Sequence, residues 1–203
     1  MTGRYLSTEM ETIKKSEKTK LRILESAREL FALHGYSGVT MKDICERAGL
    51  SRGGLYRYYS STEDVFTHII DLDRTTSFNM LYSAVEVGKT ADEILQGYFV
   101  GEISNVLNPL HNIDHAICEF AKNSVKGKQV VLRRAEENVA LVSSIIRVGQ
   151  EQGIYHQGDP YPMARHVIWL IAGMAMQSSL IGLKEEDISV QIELLRRWLR
   201  RAA

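Results

Sequence analysis

The feature that most constrains this chain is the spacing of its apolar residues, which recur every three or four positions in segment after segment. Over residues 17–34, Leu21, Leu24, Ala27, Leu30 and Phe31 make one helical stripe. Gly35 follows it, where a left-handed helix end favours glycine. Thr40 with Asp43 forms a capping box that opens a second helix, Ile44 and Ala48 face inward, and Gly49 stops it. Ser51 caps a short third helix reaching about Tyr58. Ser61 with Asp64 starts a fourth over about 62–85, carrying Val65, Phe66, Ile69, Ile70 and Leu72. Thr90 with Glu93 caps a helix carrying Ile94, Leu95, Tyr98 and Val106. Pro109 breaks the chain, a helix follows to about Val125, and Gly127 is a second break. A long helix spans about 129–152. Asp159 and Pro160 open the next, which ends near Gly182, and a last helix covers about 185–201. The chain is therefore predicted to be all-α, with about nine helices. Residues 1–16 have no apolar period and are expected to be a mobile basic arm with Arg4, Lys14 and Lys15.

Composition sets the class. The chain has 203 residues, of which 44% are hydrophobic and three are proline, enough apolar material for a helical core. Its two cysteines, Cys45 and Cys118, are too few and too far apart for a disulfide framework or a metal knuckle. Two reduced thiols are the expectation, a redox switch the alternative. The polar N-terminus has no secretory apolar region, and the most apolar stretch, 167–176, is shorter than the ~20 residues a bilayer span needs. A cytoplasmic protein with no membrane partner is expected. The formal net charge of zero conceals a split: residues 1–60 carry 11 basic and 7 acidic residues, the remainder 14 and 18. A basic head on an acidic body points the head toward a polyanion.

The segment 40–59 gives that polyanion a reader. A capped helix, a glycine turn and a second helix starting on serine form a helix-turn-helix, whose second helix enters a major groove. In that second helix Leu55 and Tyr59 face the core, Gly53 and Arg57 face away, Tyr56 and Tyr58 flank the outward side, and Arg52 stands in the first turn. Two glycines in a short helix cost ~1 kcal/mol each relative to alanine, so Gly53 and Gly54 suggest close backbone approach to DNA; a loosely formed helix start is the alternative. Lys42 adds a cation on the first helix.

The chain resembles the TetR family of bacterial regulators in Ile23–Phe31, Gly35-Tyr36, Val39-Thr40, Ile44-Cys45, Ala48-Gly49-Leu50-Ser51, Gly53, Leu55-Tyr56-Arg57-Tyr58-Tyr59 and Glu63. The resemblance covers about residues 18–70; beyond it only helix number and length agree. It implies a homodimer that binds a short palindromic operator, with a small-molecule pocket in the C-terminal part and no cofactor or catalytic residue. It implies that Thr40, Ser51, Tyr56, Arg57 and Tyr58 contact phosphates, while Arg52 and Gly53 reach base edges. Where the family often has a phosphate-binding lysine, this chain has Thr62, which keeps only a hydroxyl. The expected organisation is a helix-turn-helix domain over 17–61 and a ligand-binding and dimerisation domain over 62–203.

Within 62–203 the candidate ligand contacts are Met80, Tyr98, Glu102, His115, Phe120, Trp169 and Gln177, where aromatics, methionines and isolated polar groups mix. They favour an apolar or flat aromatic effector slightly. The helix from Pro160 is apolar on all sides and carries small residues, so it is expected to bury against a second copy, together with the last helix. Ile168, Ala172, Ala175, Ile192, Leu195 and Leu199 are the interface candidates. His111, His115 and Cys118, with Glu119 alongside, have zinc-compatible spacing, but a solvated helix face is the expected reading and no metal is assigned. A helical protein-interaction module would leave the basic head unexplained, and a metal-dependent helical enzyme would need a stronger donor set.

Overall fold

The computed structural model describes residues 2–108 and 110–200, with side chains from residue 15 onward apart from three inside helices. Pro109 and Arg201, assigned from sequence to a break and to a helix end, lie outside the described residues. The described residues form nine helices: α1 (Thr2–His34), α2 (Met41–Ala48), α3 (Arg52–Tyr56), α4 (Thr62–Glu86), α5 (Ala91–Leu107), α6 (Asp114–Asn123), α7 (Val125–Glu151), α8 (Pro160–Ile181) and α9 (Glu185–Leu199). Among them no helix is long and apolar enough to cross a membrane.

The caps sit where local chemistry puts them. The Thr40 and Thr90 hydroxyls accept from the amides of Asp43 and Glu93, whose carboxylates accept in return. Ser51, Ser61 and Asp159 cap α3, α4 and α8. Two readings change. The basic arm assigned to 1–16 continues α1 as helix from Thr2, because Gly3 is its only glycine and no proline interrupts it. Lack of an apolar stripe does not stop a helix propagating from a packed segment. Nor does Gly127 break the chain. The α6–α7 corner is Ser124, whose hydroxyl accepts from the Gly127 amide at 2.7 Å. Gly127 is needed because a Cβ there would stand 2.2 Å from the Phe120 carbonyl oxygen.

Two cores form. The first gathers Ile23, Ala27 and Phe31 of α1, Ile44 and Cys45 of α2, Leu55 and Tyr59, Val65, Phe66 and Ile69 of α4, and also Ile117 and Phe120 of α6. Phe66 meets Phe31 edge-on at 4.6 Å and Phe120 at 5.2 Å, while Tyr36 tilts against Phe66 at 5.1 Å and Phe120 at 4.8 Å. The N-terminal core thus continues past residue 61 and takes in α6. The second core packs α5, α7, α8 and α9 around Phe99, Val142, Ile146, Val167, Ile188 and Leu199. Asp92 at the start of α5 accepts from Arg196 of α9 and from Arg200 just past its end, both at 2.7 Å.

Polar ties join the helix-turn-helix to the rest. Arg28 of α1 pairs with Asp73 of α4 and donates to the His111 carbonyl at 3.3 Å. Glu119 of α6 accepts from the Ser37 amide at 3.0 Å, and Asn123 donates to the Ser37 hydroxyl at 2.8 Å. Lys126 of α7 reaches Glu63 in the first turn of α4 at 2.7 Å.

Candidate nucleic-acid interface

The turn between α2 and α3 is fixed by three local devices. Gly49 takes the left-handed conformation (φ 61°, ψ 41°) that α2 needs to stop. The amides of Gly49 and Leu50 return to the Glu46 and Cys45 carbonyls at 3.2 and 3.0 Å. The Ser51 hydroxyl then accepts from the Gly54 amide at 3.1 Å, which starts α3. Leu55 and Tyr59 anchor the segment in the first core, and the Tyr59 hydroxyl meets His68 Nδ1 of α4 at 3.0 Å. Burial pushes the Tyr59 phenol up to about 12, so it stays protonated.

With those two side chains inward, the residues between them turn out. Ser51, Arg52, Gly53, Tyr56 and Arg57 are exposed on one face, and Thr40 and Lys42 are exposed on α2. Neither Arg52 nor Arg57 has a carboxylate partner among the described residues. Lys42 differs: it approaches Glu46 at 3.7 Å. Gly53 has nothing within 4 Å of where a Cβ would stand, so the fold itself does not require glycine there. Gly54 is tighter, since a Cβ would come 3.2 Å from the Ser51 hydroxyl. Tyr58 is only partly exposed and packs against the first core. Ser16 and Thr19 of α1 act on its phenol and hold it below the usual value. Thr62 is half-buried as the first residue of α4, behind the Ser61 cap.

The candidate ligand contacts do not gather at one place. Phe120 is fully buried in the N-terminal core, and Met80 is 69% exposed near the end of α4. Trp169 and Gln177 line an open groove between α8 and α9 with Gly173, Leu183 and Asp187. His115 is partly buried on α6. Tyr98 and Glu102 also lie together, one turn apart on α5, and burial pushes both pKa values up, Glu102 to about 7. Among the described residues no group of three or more histidine, cysteine or acidic side chains could hold a metal. Glu119 of the zinc-compatible set is turned to Ser37 instead.

The interface candidates also redistribute. Ala175, Ile192, Leu195 and Leu199 are buried in the protomer's own second core, and Ile168 is partly buried against it. An apolar stripe at helical spacing looks the same whether its partner is in the same chain or another. Ala172 is exposed, beside Trp169, which is 63% exposed with Arg165 stacked over its ring at 4.7 Å. Val190, Leu194 and Trp198 of α9 are exposed as well. Sequence spacing missed them because they lie off the main stripe.

Comparison with known proteins places this geometry. The family described as "Bacterial regulatory proteins, tetR family" matches residues 23–69, the span from the α1 stripe to the middle of α4. An uncharacterized HTH-type transcriptional regulator of Bacillus subtilis, YfiR, is 25% identical over 194 residues, covering 91% of each chain. A TetR-family regulator structure from Rhodococcus superposes with TM-score 0.75 at 18% identity, over 90% of this chain and 98% of that one. A regulator from Saccharomonospora viridis in complex with choline superposes with TM-score 0.73 at 17% identity, over 92% of this chain and all of that one.

Proposed function

This chain belongs to the TetR family of bacterial transcriptional regulators and is a DNA-binding protein of that kind, and from that premise we propose that it is a ligand-released repressor binding a palindromic operator as a homodimer. The observation that carries the reading is the outward face of α3, where two arginines without a carboxylate partner among the described residues stand around an unobstructed glycine backbone. Arg57, Tyr56, Ser51 and Thr40 grip phosphates, and Arg52 with the Gly53 backbone reads base edges. Tyr58 serves this face mainly by packing against the first core, Lys42 contributes after leaving Glu46, and Thr62 lends at most a hydroxyl.

In this reading residues 17–61 are the DNA-binding unit and residues 62–203 the effector and dimerisation unit. The second copy docks on the exposed face of α8 and α9, where Trp169, Ala172, Val190, Leu194 and Trp198 leave apolar surface open. The effector is a small molecule held between α4 and α7. It acts by favouring one spacing of the two recognition helices over another. Arg28–Asp73, Glu119–Ser37 and Lys126–Glu63 are the ties through which a shift of α4 or α6 reaches the helix-turn-helix. A 100-fold release needs ~2.7 kcal/mol of difference between bound states.

Footprinting on the DNA upstream of the chain's own gene tests this. Two protected half-sites about one helical turn apart, lost on adding the effector, are the expected result. A single half-site, or protection strengthened by the effector, contradicts it.

A further inference from the structure

Over residues 15–27 of α1, burial alternates with the helical period. Ser16, Thr19 and Lys20 are partly covered, and Ile23, Leu24 and Ala27 continue the same face as buried core. Lys15, Lys18 and Arg22, at spacings of three and four, are exposed and share the other side. The end of α3 stands against the first face. Ser16, Thr19 and Lys20 lie within interaction range of the Tyr58 phenol, and Glu17 within range of the Tyr59 phenol. Tyr58 in turn packs on the first core, next in sequence to the exposed Arg57. The turns of α1 that carry Lys15, Lys18 and Arg22 are therefore neighbours of the helix that offers Arg52 and Arg57.

None of these three α1 cations has a carboxylate partner among the described residues. Glu17, between Lys15 and Lys18 in sequence, accepts instead from Lys20 at 3.0 Å. Acids follow Arg22 at the same spacing only from Glu25, and Glu29 beyond it is taken by Arg47. Like charges three and four apart on a helix repel, so the arrangement works against the free protein. No side chain from Lys15 to Arg22 is buried, so packing returns little to this stretch. The compensating charge has to come from outside, and it has to be anionic and repeated along the helix. From Lys15 to Arg22 the helix rises about 10 Å, the axial length of about three nucleotides of one strand of duplex DNA.

We propose that Lys15, Lys18 and Arg22 form a second backbone-gripping surface, laid along about three successive phosphates of one DNA strand beside the segment held by α3. The proposal rests on the reading of α3 as the recognition helix and extends that interface onto α1. Phosphates carry no sequence information, so this surface adds affinity and salt dependence and leaves base choice to α3.

Fluorescence anisotropy of the full-length protein tests it, on a duplex from upstream of its own gene and on a scrambled duplex of equal length and composition. Lys15→Gln/Lys18→Gln/Arg22→Gln should bind both duplexes at least about tenfold more weakly at about 100 mM salt, by the same factor for each. Its log affinity against log salt should be shallower by about 3 for each protomer bound, at about 0.9 for each phosphate released. Lys15→Arg/Lys18→Arg, which keeps the charge, should bind as the parent does. Hydroxyl-radical cleavage should open about three nucleotides per half-site in the glutamine variant that the parent protects. The three side chains are exposed, so the glutamine variant should melt with the parent. Parent affinity and slope in the glutamine variant, or a loss confined to the upstream duplex, overturns the proposal. If Arg57→Ala weakens binding and the glutamine variant does not, the α1 surface falls and the α3 reading stands. If the glutamine variant weakens binding and Arg57→Ala does not, the α1 surface stands and the α3 reading falls. A parent that binds neither duplex overturns both.

Discussion

Replacing Gly53 by alanine should move stability and DNA affinity in opposite directions. Gly53 is the second residue of α3, and a Cβ added there meets nothing within 4 Å. Alanine in a helix is favoured over glycine by 0.5–1 kcal/mol, and a position this near the helix start should realise the lower end, about 0.5 kcal/mol. The free protein should therefore be slightly more stable in urea unfolding. On DNA the same methyl would stand between backbone and groove, and loss of one close contact of this kind is worth about 1–3 kcal/mol, about fivefold to 150-fold in affinity. Fluorescence anisotropy with an operator duplex measures the second quantity. Gly54→Ala separates the two glycines, since its methyl would press on the Ser51 hydroxyl at 3.2 Å and weaken the α3 cap. If Gly53→Ala is stabilised but binds DNA as tightly as the parent, Gly53 is a tolerated helix start and the close-approach argument is wrong.

Other substitutions address the scaffold. Gly149→Ala in α7 should destabilise by more than about 2 kcal/mol despite its better helix propensity, because a Cβ would stand 2.1 Å from the buried Tyr155 ring; Gly97→Ala, with open space around it, should gain about 0.5–1 kcal/mol in the same unfolding assay. A carboxyl whose pKa is raised on folding favours the folded state fully below its unfolded value and loses that contribution as pH rises through its folded value. Parent protein should thus lose stability relative to Glu102→Gln between pH 5 and pH 8, by at most about 3 kcal/mol and, with partial solvent access, nearer 1–2 kcal/mol. Ala172→Glu, on the exposed face of α8, should give monomers by sedimentation, whereas the same change at buried Leu195 should unfold the protomer.

What could be read from the sequence was what is decided locally. Thr40 with Asp43, Ser51, Thr90 with Glu93, and Asp159 before Pro160 mark helix starts because a hydroxyl or carboxylate has its amide partner two or three residues away. The outward face of α3 follows from Leu55 and Tyr59 pointing in. What is not legible locally depends on partners distant in sequence. Gly127 looked like a break because nothing nearby reveals the Phe120 carbonyl against it. Phe120 looked like a pocket residue because only the folded chain brings it to Phe66 and Tyr36. Ile192, Leu195 and Leu199 looked like an interface because amphipathicity says that a stripe is covered, not what covers it. Glu102 stands out in the sequence as polar among apolar neighbours, but its raised pKa depends on how the fold buries it and where Arg134, Asp114 and Asp73 fall.

The central claim, that the α3 face grips a nucleic-acid backbone, is tested most directly by the salt dependence of binding to duplex DNA from upstream of the chain's own gene. Between about 50 and 200 mM salt, log affinity should fall linearly with log salt, and Arg57→Ala should make the slope shallower by about 1 for each protomer bound. No binding, or binding whose affinity ignores both salt and Arg57, would contradict the account.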